Sequence, residues 1–360
     1  MLKTTHQYFF TDVTRLDTVP LESIDLVLTS PPYPMIEMWD DCFGFQNKAI
    51  QESLLSDPSL AFEQMHDLLD TVWQKVDALL KPGGFVCINI GDATRTVDQF
   101  AVYPNHSRIM MTLMDLGLTL LPEIIWRKQS NAPNKYLGSG MLPAGAYVTQ
   151  EHEYILIARK GGKRQFSGSA EKKARRQSAM FWEERNRYFS DIWFDIKGRR
   201  QNMKDRSTGS AAGIAPRSRN AAFPFELAYR LINMYSVKGD TVFDPFLGTG
   251  TTMAAAITAC RNSIGCEIDP GFEPGILERM TSLRKEANAR IMERLTAHAA
   301  FIKERERLGK PAGHVNHPYG FAVVTGQETD LIINELTAVT PTAPHGVEVA
   351  YSSVPQQIII

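Results

Sequence analysis

The segment 24–34, with the sequence Ile-Asp-Leu-Val-Leu-Thr-Ser-Pro-Pro-Tyr-Pro, constrains the fold more than any other part of the chain. Its apolar, β-branched first half predicts a buried strand, which Pro31 and Pro32 end because proline cannot continue a strand ladder. A rigid corner therefore follows the carboxyl end of a strand, where open α/β sheets bind ligands. The corner presents the Ser30 hydroxyl, backbone carbonyls and the ring of Tyr33. This set is suited to holding a planar amine by its NH2 group while a ring stacks on its face.

A second motif, Asp-Pro-Phe-Leu-Gly-Thr-Gly at 244–250, follows a short apolar strand. Its two glycines would let backbone amides approach a ligand, and the helix that begins near Thr251 would point its positive end at the same place. A phosphate-binding P-loop is the competing interpretation, but it needs a lysine before the final Ser or Thr, and this motif has none. The next strand, 263–267, ends in Glu267, at the spacing expected of a carboxylate that binds ribose hydroxyls.

Helices and strands alternate around these motifs. Apolar residues recur at helical spacing over 59–81 and 103–116, and apolar runs at 85–90, 118–126 and 153–158 predict strands. Alternation of this kind favours an α/β fold with a parallel sheet and crossover helices.

The charge of the chain is unevenly distributed, although its net charge is only −1. Residues 159–220, the basic segment, contain 17 lysines and arginines against 6 aspartates and glutamates. Either a surface laid against nucleic-acid phosphates or a solvated loop would explain this charge. We favour the first, because the segment also contains more aromatic residues than a disordered linker. These are Phe166, Phe181, Trp182, Tyr188, Phe189 and Trp193.

Composition argues against several other classes of protein. No apolar run reaches the length of a membrane span and the first residues lack a signal-peptide pattern, so we expect a soluble protein of the cytoplasm. The four cysteines form no Cys-x-x-Cys pair, and no histidine cluster has convincing zinc spacing, so we expect no metal site.

The tetrapeptide Ser-Pro-Pro-Tyr at 30–33 resembles the catalytic tetrapeptide of DNA amino-methyltransferases, which methylate exocyclic nitrogens of cytosine or adenine. The stretch 241–252 resembles the S-adenosylmethionine loop of the same family. The catalytic corner precedes the cofactor loop and the basic segment lies between them. In this order the chain is most similar to the β class of these enzymes, over roughly residues 8–158 and 222–285.

This resemblance implies the Rossmann-like fold of the S-adenosylmethionine-dependent methyltransferases, an α/β fold with a mostly parallel seven-stranded sheet. The chain would be circularly permuted relative to the plain order, with an inserted target-recognition region. Adjacent strands stay adjacent after such a permutation, so the two motifs can meet at one cleft. The implied divisions are a catalytic half at 1–158, a target-recognition insertion at 159–220, a cofactor-binding half at 221–285, and a C-terminal helical extension and tail at 286–360.

The resemblance also implies roles for individual residues. The residues implied in catalysis are Ser30, Pro31, Pro32 and Tyr33. Those implied in cofactor binding are Asp12, Phe225, Asp244, Pro245, Phe246, Gly248, Thr249, Gly250, Thr251 and Glu267. For Asp12, a turn or helix-cap role is an equal alternative. Those expected to contact DNA are Arg127, Lys128, Lys172, Lys173, Arg175, Arg176, Arg199 and Arg200.

The implied reaction transfers a methyl group from S-adenosylmethionine to the exocyclic N4 of a cytosine flipped out of double-stranded DNA. Serine at position 30 favours cytosine, since aspartate is commoner there among N6-adenine enzymes, which are the first alternative. Methylation of RNA or of protein glutamine, and a non-catalytic DNA-binding protein of the same fold, are further alternatives. The family's usual setting implies a partner, a restriction endonuclease that acts on the same DNA site.

Overall fold

The structure is a computed structural model that describes residues 2–97, 99–128, 137–198 and 222–355. Ten of its strands form one large sheet, and the others form three two-stranded sheets. The strands are β1 (Leu2–Phe10), β2 (Ile24–Thr29), β3 (Leu80–Ile90), β4 (Ala93–Thr96), β5 (Phe100–Tyr103), β6 (Thr119–Arg127), β7 (Leu137–Gly138), β8 (Ala146–Tyr147), β9 (His152–Arg159), β10 (Ile192–Trp193), β11 (Thr241–Asp244), β12 (Asn262–Glu267), β13 (His314–Val315), β14 (Ala322–Val323), β15 (Leu336–Thr342) and β16 (Gly346–Tyr351).

The described ranges contain ten α-helices and four short 3-10 helices. None of the helices in these ranges is long and apolar enough to cross a membrane. The α-helices are α1 (Asp40–Gln46), α2 (Ala49–Ser56), α3 (Pro58–Leu79), α4 (Asn105–Asp115), α5 (Ser169–Gln177), α6 (Trp182–Tyr188), α7 (Phe225–Tyr235), α8 (Thr251–Thr258), α9 (Glu273–Ser282) and α10 (Arg284–Arg307). The 3-10 helices are Val13–Arg15, Glu37–Trp39, Pro270–Phe272 and Gly326–Glu328.

The large sheet has the strand order β10-β6-β9-β3-β2-β11-β12-β1-β16-β15. Its centre is parallel, because β2 pairs in parallel with β3 and β11, and β12 pairs in parallel with β11 and β1. The strand of the Ser-Pro-Pro-Tyr corner, β2, therefore lies directly beside β11, the strand of the glycine loop. The predicted α/β class and the adjacency of the two motif strands are confirmed.

The number of strands differs from the seven that the resemblance implied. Seven strands, from β6 to β1 in the sheet order, form the expected sheet, and three more extend it. The two-residue strand β10 pairs with β6, and the hairpin of β15 and β16 pairs with β1. The three added strands were not predicted, because these segments become strands by pairing with the exposed edges of the sheet and no local motif marks them.

One strand of the expected sheet, β9, runs antiparallel to both of its neighbours, β3 and β6. Its Tyr154 pairs with Ile90 at the end of β3, and its last residue, Arg159, pairs with Phe85 in the middle of β3. We call the side where β2, β3, β11 and β12 end the carboxyl edge, and the opposite side the amino edge. The chain enters β9 at the carboxyl edge and leaves it at the amino edge.

Helices cover both faces of the sheet, which explains the apolar run of β2. All six residues of β2 are buried. Leu26 and Leu28 pack on one face with buried residues of α7 and α8, whereas Val27 packs on the other face with α3 and α4. The corner that follows β2 is therefore held by a strand that is enclosed on both sides.

The described part of the basic segment packs against the rest of the fold. Phe181 and Tyr188 are fully buried. Between α6 and α10, Arg294 donates to the two carboxylate oxygens of Glu184 at 2.6 and 2.7 Å. Burial alone would raise the pKa of Glu184, but the charge and hydrogen bonds of Arg294 outweigh it and hold the pKa below its ordinary value.

We expect Arg294→Met to lower the free energy of unfolding by about 3 to 5 kcal/mol, because it leaves the Glu184 carboxylate buried without its cation. The double variant Arg294→Met/Glu184→Met should lose less, since it also removes the uncompensated charge. Urea denaturation at neutral pH measures both losses. A double variant that is no more stable than the single variant would contradict a cost that arises from the buried charge.

Candidate active site

The corner after β2 is held in place at the carboxyl edge by Asn105, the first residue of α4. Its side-chain amide donates to the carbonyl oxygens of Pro34 and Gly91, both at 3.0 Å. Its side-chain oxygen lies 3.0 Å from His66 Nε2. Burial lowers the pKa of His66 to about 4, so this ring is neutral at physiological pH and can donate to Asn105. A polar network thus joins the corner to the end of β3.

Within the corner, Ser30 Oγ donates a hydrogen bond to Tyr33 Oη at 3.1 Å. Gly91 lets the tyrosine ring approach β3, since a Cβ at this position would lie 3.1 Å from Tyr33 Cε2. Burial raises the pKa of the Tyr33 phenol well above its ordinary value, and the charge of Glu153 raises it further. Tyr33 is therefore a neutral phenol, able to accept and donate hydrogen bonds.

Two residues that were not predicted to be in the site, Asn89 and Glu153, contact Tyr33. Tyr33 Oη donates to Glu153 Oε2 at 3.1 Å. Asn89 Nδ2 donates to Tyr33 Oη at 2.8 Å and to Glu153 Oε2 at 2.7 Å. Lys128, which was expected at DNA, forms an ion pair with Glu153 Oε1. We call Ser30, Tyr33, Asn89, Lys128 and Glu153 the Tyr33 cluster.

The sequence carried a signal for both missed residues. Each is a polar side chain in an otherwise apolar predicted strand, and each is buried in the structure. Buried polar groups of this kind are rare unless partners satisfy them. Glu153 reaches the corner because β9 is antiparallel, so that the start of this strand lies at the carboxyl edge.

Asp244 joins the corner to the glycine loop. Its Oδ1 accepts a hydrogen bond from Thr29 Oγ1 at 2.6 Å, and its Oδ2 accepts one from Thr252 Oγ1 at 2.6 Å. The backbone amide of Phe246 also donates to Oδ1, at 3.0 Å. Burial raises the pKa of Asp244 to about 6, although these hydrogen bonds oppose the shift. This predicted cofactor residue thus connects β2, β11 and α8.

The glycine loop has the conformation that its sequence predicts. Gly248 and Gly250 have φ angles of +51° and +78°, in the left-handed region that favours glycine. The carboxylate of Glu267, at the end of β12, accepts hydrogen bonds from the backbone amides of Gly248, at 2.8 Å, and Asp269, at 3.0 Å. The structure therefore brings together the loop and the carboxylate that were predicted to share one ligand.

Two threonines of the loop, Thr249 and Thr251, have buried side chains that contact a residue not considered in the sequence analysis. Arg279 Nη1 donates to their hydroxyl oxygens at 3.1 and 3.0 Å. It also lies 3.2 Å from the carbonyl oxygen of Thr249. The side chains of these threonines thus join the loop to α9, and we expect a ligand to contact the loop through its backbone.

Asp12 follows β1 and accepts hydrogen bonds from the backbone amide and hydroxyl of Thr14, at 2.9 and 2.8 Å. The structure therefore shows the helix-cap alternative for this residue.

Burial raises the pKa of the Cys266 thiol to about 12, and the charges of Asp244, Asp12 and Glu267 raise it further. Three carboxylates thus converge at the ends of β1, β11 and β12. Within the described ranges, no group of three or more His, Cys, Asp or Glu could hold a metal ion.

Two aromatic residues expected at the cofactor border the same region. Phe246 follows the buried Pro245 and meets the ring of Trp73 edge-on, with centroids 6.1 Å apart. Phe225 begins α7 and stacks on Tyr229, with centroids 5.6 Å apart. Both phenylalanines are only partly buried, so part of each ring remains accessible.

Four of the residues predicted to bind DNA lie on α5, at the amino edge and away from Ser30. The chain reaches α5 after it leaves β9 at that edge. Ser178, directly after α5, accepts a hydrogen bond at 2.8 Å from the backbone amide of Lys238, in the turn before β11. The structure does not bring these four residues into the site, and their contact with DNA stays a prediction. They are Lys172, Lys173, Arg175 and Arg176, all on the surface.

The other predicted DNA contacts have a different location. Arg127 ends β6 at the carboxyl edge, pairs with Glu151 at 3.1 Å, and keeps 61% of its side chain exposed. Lys128 follows it in the Tyr33 cluster. Arg199 and Arg200 lie outside the described residues.

The raised pKa of Asp244 predicts a pH-dependent stability. A carboxylate whose folded-state pKa lies above its unfolded value favours folding most at low pH, and this contribution is lost as the pH rises through about 6. Asp244→Asn should therefore gain about 2 kcal/mol of unfolding free energy relative to the wild type between about pH 4 and pH 7. Urea denaturation at both pH values measures it, with the exposed Asp17→Asn as control. A difference between wild type and Asp244→Asn that is the same at both pH values would contradict the shift.

Residues 24–278, which contain both motifs, match the family model of the N6/N4 methyltransferases, described as DNA methylase. The chain is 50% identical over 333 residues to the type II methyltransferase M.MthZI of Methanothermobacter thermautotrophicus, covering 92% of this chain and 90% of that protein. It is 45% identical over 292 residues to the type II methyltransferase M.MjaI of Methanocaldococcus jannaschii, covering 78% and 92%.

Solved structures show the same relationship. A putative DNA modification methylase of Thermus thermophilus, crystallised with S-adenosyl-L-methionine, is 32% identical with a TM-score of 0.57, over 77% of this chain and 95% of that chain. The PvuII cytosine-N4-specific DNA methyltransferase shares the fold, with a TM-score of 0.54 and 18% identity over 81% and 94%. On the family match over 24–278 and the identity to these relatives, the chain belongs to the N6/N4 family of DNA methyltransferases.

Proposed function

We propose that this DNA methyltransferase transfers a methyl group from S-adenosylmethionine to the exocyclic N4 of a cytosine in double-stranded DNA. The observation that carries the proposal is a neutral hydroxyl, Ser30 Oγ, at the corner beside the glycine loop. Its proton is donated to Tyr33, so the lone pairs of the oxygen are left to accept an N–H from the target base. The resemblance favours cytosine for a serine at this position.

The exocyclic NH2 of cytosine is a poor nucleophile because its lone pair is delocalised into the ring. Hydrogen bonds from this NH2 to Ser30 Oγ and to the Pro31 carbonyl oxygen would localise the lone pair. The rigid corner would also aim the nitrogen at the methyl group, so catalysis comes from positioning and electrostatics. The fixed backbone of two consecutive prolines keeps the carbonyl in place.

The residues around the glycine loop fit S-adenosylmethionine. Glu267 offers a carboxylate whose oxygens are oriented by two backbone amides, as needed to bind ribose hydroxyls. Asp12, Asp244 and Glu267 create a negative potential that suits a positively charged ligand. When bound, S-adenosylmethionine supplies an electrophilic methyl group on a sulfonium. The partly exposed rings of Phe225 and Phe246 would border the adenosine.

A base inside a duplex cannot reach this corner, so the cytosine has to leave the stack, which costs a few kcal/mol. The ring of Tyr33 would stack on the flipped base. Contacts of Arg127 with phosphates at the carboxyl edge would offset part of the cost. DNA would have to extend to the amino edge in order to contact the basic residues of α5, which are Lys172, Lys173, Arg175 and Arg176.

The named relatives support a proposal for the biological setting. M.MthZI and M.MjaI are called type II methyltransferases. We infer by this likeness that the enzyme protects DNA from a restriction endonuclease that acts on the same site.

Transfer of tritiated methyl from S-adenosylmethionine to unmethylated bacterial DNA tests the choice of base. We expect N4-methyl-2′-deoxycytidine after nucleoside digestion and mass spectrometry. N6-methyladenine would keep the reaction but overturn the inference drawn from Ser30.

Ser30→Ala should reduce turnover by about 100-fold or more, because the target amine loses an acceptor that acts in the transition state. The dissociation constant of the cofactor should stay within about twofold, since the hydroxyl lies at the corner and not in the loop. Ser56→Ala, which removes an exposed hydroxyl from α2, is the control. Loss of cofactor binding by Ser30→Ala would show that the corner is misassigned.

Glu267→Ala should raise the cofactor dissociation constant by about 10- to 100-fold, because charge-assisted hydrogen bonds to the ribose are lost. Isothermal titration calorimetry measures the constant without any need for activity. Glu348→Ala, in β16 and paired with Lys3 on the surface, is the matched control. An unchanged constant would remove Glu267 from the cofactor site.

A further inference from the structure

The Tyr33 cluster contains a directed series of hydrogen bonds that the reaction as described above does not use. Ser30 Oγ donates to Tyr33 Oη, and Tyr33 Oη donates to Glu153 Oε2, each at 3.1 Å. Both distances are within the reach of proton transfer between side chains. The series begins at the hydroxyl proposed to hold the amine and ends at a buried carboxylate.

Asn89 fixes the direction of this series. Its Nδ2 donates to Tyr33 Oη at 2.8 Å and to Glu153 Oε2 at 2.7 Å. The opposite amide orientation would place the Asn89 oxygen against the carboxylate, which is repulsive. Because the phenol oxygen already accepts from Asn89, its own proton is directed to Glu153.

Lys128 supports the carboxylate at the end of the series. It pairs with Glu153 Oε1 and leaves Oε2 to face the phenol. Among the described residues, the groups that face Glu153 are Tyr33 from the corner after β2, the neutral Asn89 from β3, and Lys128 after β6. Oε2 is thus the carboxylate oxygen that is placed to accept the phenol proton.

The other carboxylates at the carboxyl edge have different partners. Both oxygens of Asp244 accept hydrogen bonds from threonines, and Glu267 accepts two loop amides. Asp92 pairs with His106 at 2.8 Å. Glu153 is thus the carboxylate that this hydrogen-bond series connects to the corner hydroxyl.

We propose that Ser30, Tyr33 and Glu153 relay the proton that the target amine loses during methyl transfer. The amine nitrogen forms its bond to the methyl carbon while the bond from that carbon to the donor sulfur breaks and leaves its electron pair on sulfur. One amine proton passes to Ser30 Oγ, the Ser30 proton passes to Tyr33 Oη, and the Tyr33 proton passes to Glu153 Oε2. Charge balances, because the sulfonium becomes neutral and the carboxylate becomes a carboxylic acid. The relay rests on amino-methyl transfer to DNA and not on which base is methylated.

Single-turnover methylation by Tyr33→Phe, Glu153→Gln and the double variant tests the relay. Phenylalanine keeps the ring that stacks on the base, and glutamine keeps the shape of glutamate, but each change interrupts the proton path. Each single variant should be about 100-fold slower than the wild type. The double variant should be no slower than the slower single variant, because residues of one relay act as a unit.

Dependence on pH provides a readout that a purely structural role would not change. Acidification should slow the wild type, because a protonated Glu153 cannot accept another proton. Glu153→Gln should depend less steeply on pH, since only other groups of the site, such as Asp244, can still be protonated. Tyr154→Phe is the matched control, since Tyr154 follows Glu153 on β9, points to the other face of the sheet, and stacks on His106 with centroids 3.9 Å apart. It should react at the wild-type rate.

Several results would overturn the relay. One is single variants that react within about threefold of the wild-type rate; another is a double variant whose loss is the product of the two single losses, which indicates independent effects. A third is an unchanged pH dependence in Glu153→Gln. Label on adenine in the wild type would overturn the choice of cytosine and leave the relay standing, so the two failures are distinguishable.

Discussion

The buried carboxylate of Asp244 sets the spacing on which the site depends. It accepts hydrogen bonds from Thr29, the last residue of β2, and from Thr252 in the first turn of α8, both at 2.6 Å. Thr29 directly precedes the Ser30 corner, and Asp244 directly precedes the glycine loop. Two hydrogen bonds therefore connect the residue that would hold the base to the loop that would hold the methyl donor. An in-line reaction loses much of its rate when the reacting atoms are misplaced by about 1 Å, so this connection matters more than any surface contact.

The parts of the site that could be predicted are those where local signals coincide. In β2 and β11, an apolar run is followed within a few residues by a proline and by a hydroxyl or a glycine loop. Together these signals mark the strand, the corner and the ligand side in one short stretch. No such combination of local signals marks Glu153, because its position in the site depends on the direction of β9. Apolar periodicity is the same for a parallel and an antiparallel strand, so only the sheet pairing shows that Glu153, and not Arg159, lies beside Tyr33.

The same strand direction explains why the charge of the basic segment was a poor guide to location. A count of charges predicts a basic surface but not the edge of the sheet that carries it. The chain leaves β9 at the amino edge, and the exposed residues of α5 follow there. It returns to the carboxyl edge through α6 and β10, held by the buried Tyr188 and by the Glu184–Arg294 ion pair. The segment is thus partly a structural brace, a role that was not predicted from its aromatic residues.

The two sides of the site also differ in charge. Beside the glycine loop, Asp12, Asp244 and Glu267 converge at the strand ends, and their charge would favour a positively charged methyl donor. On the base side, Lys128 offsets the charge of Glu153, which suits an uncharged base.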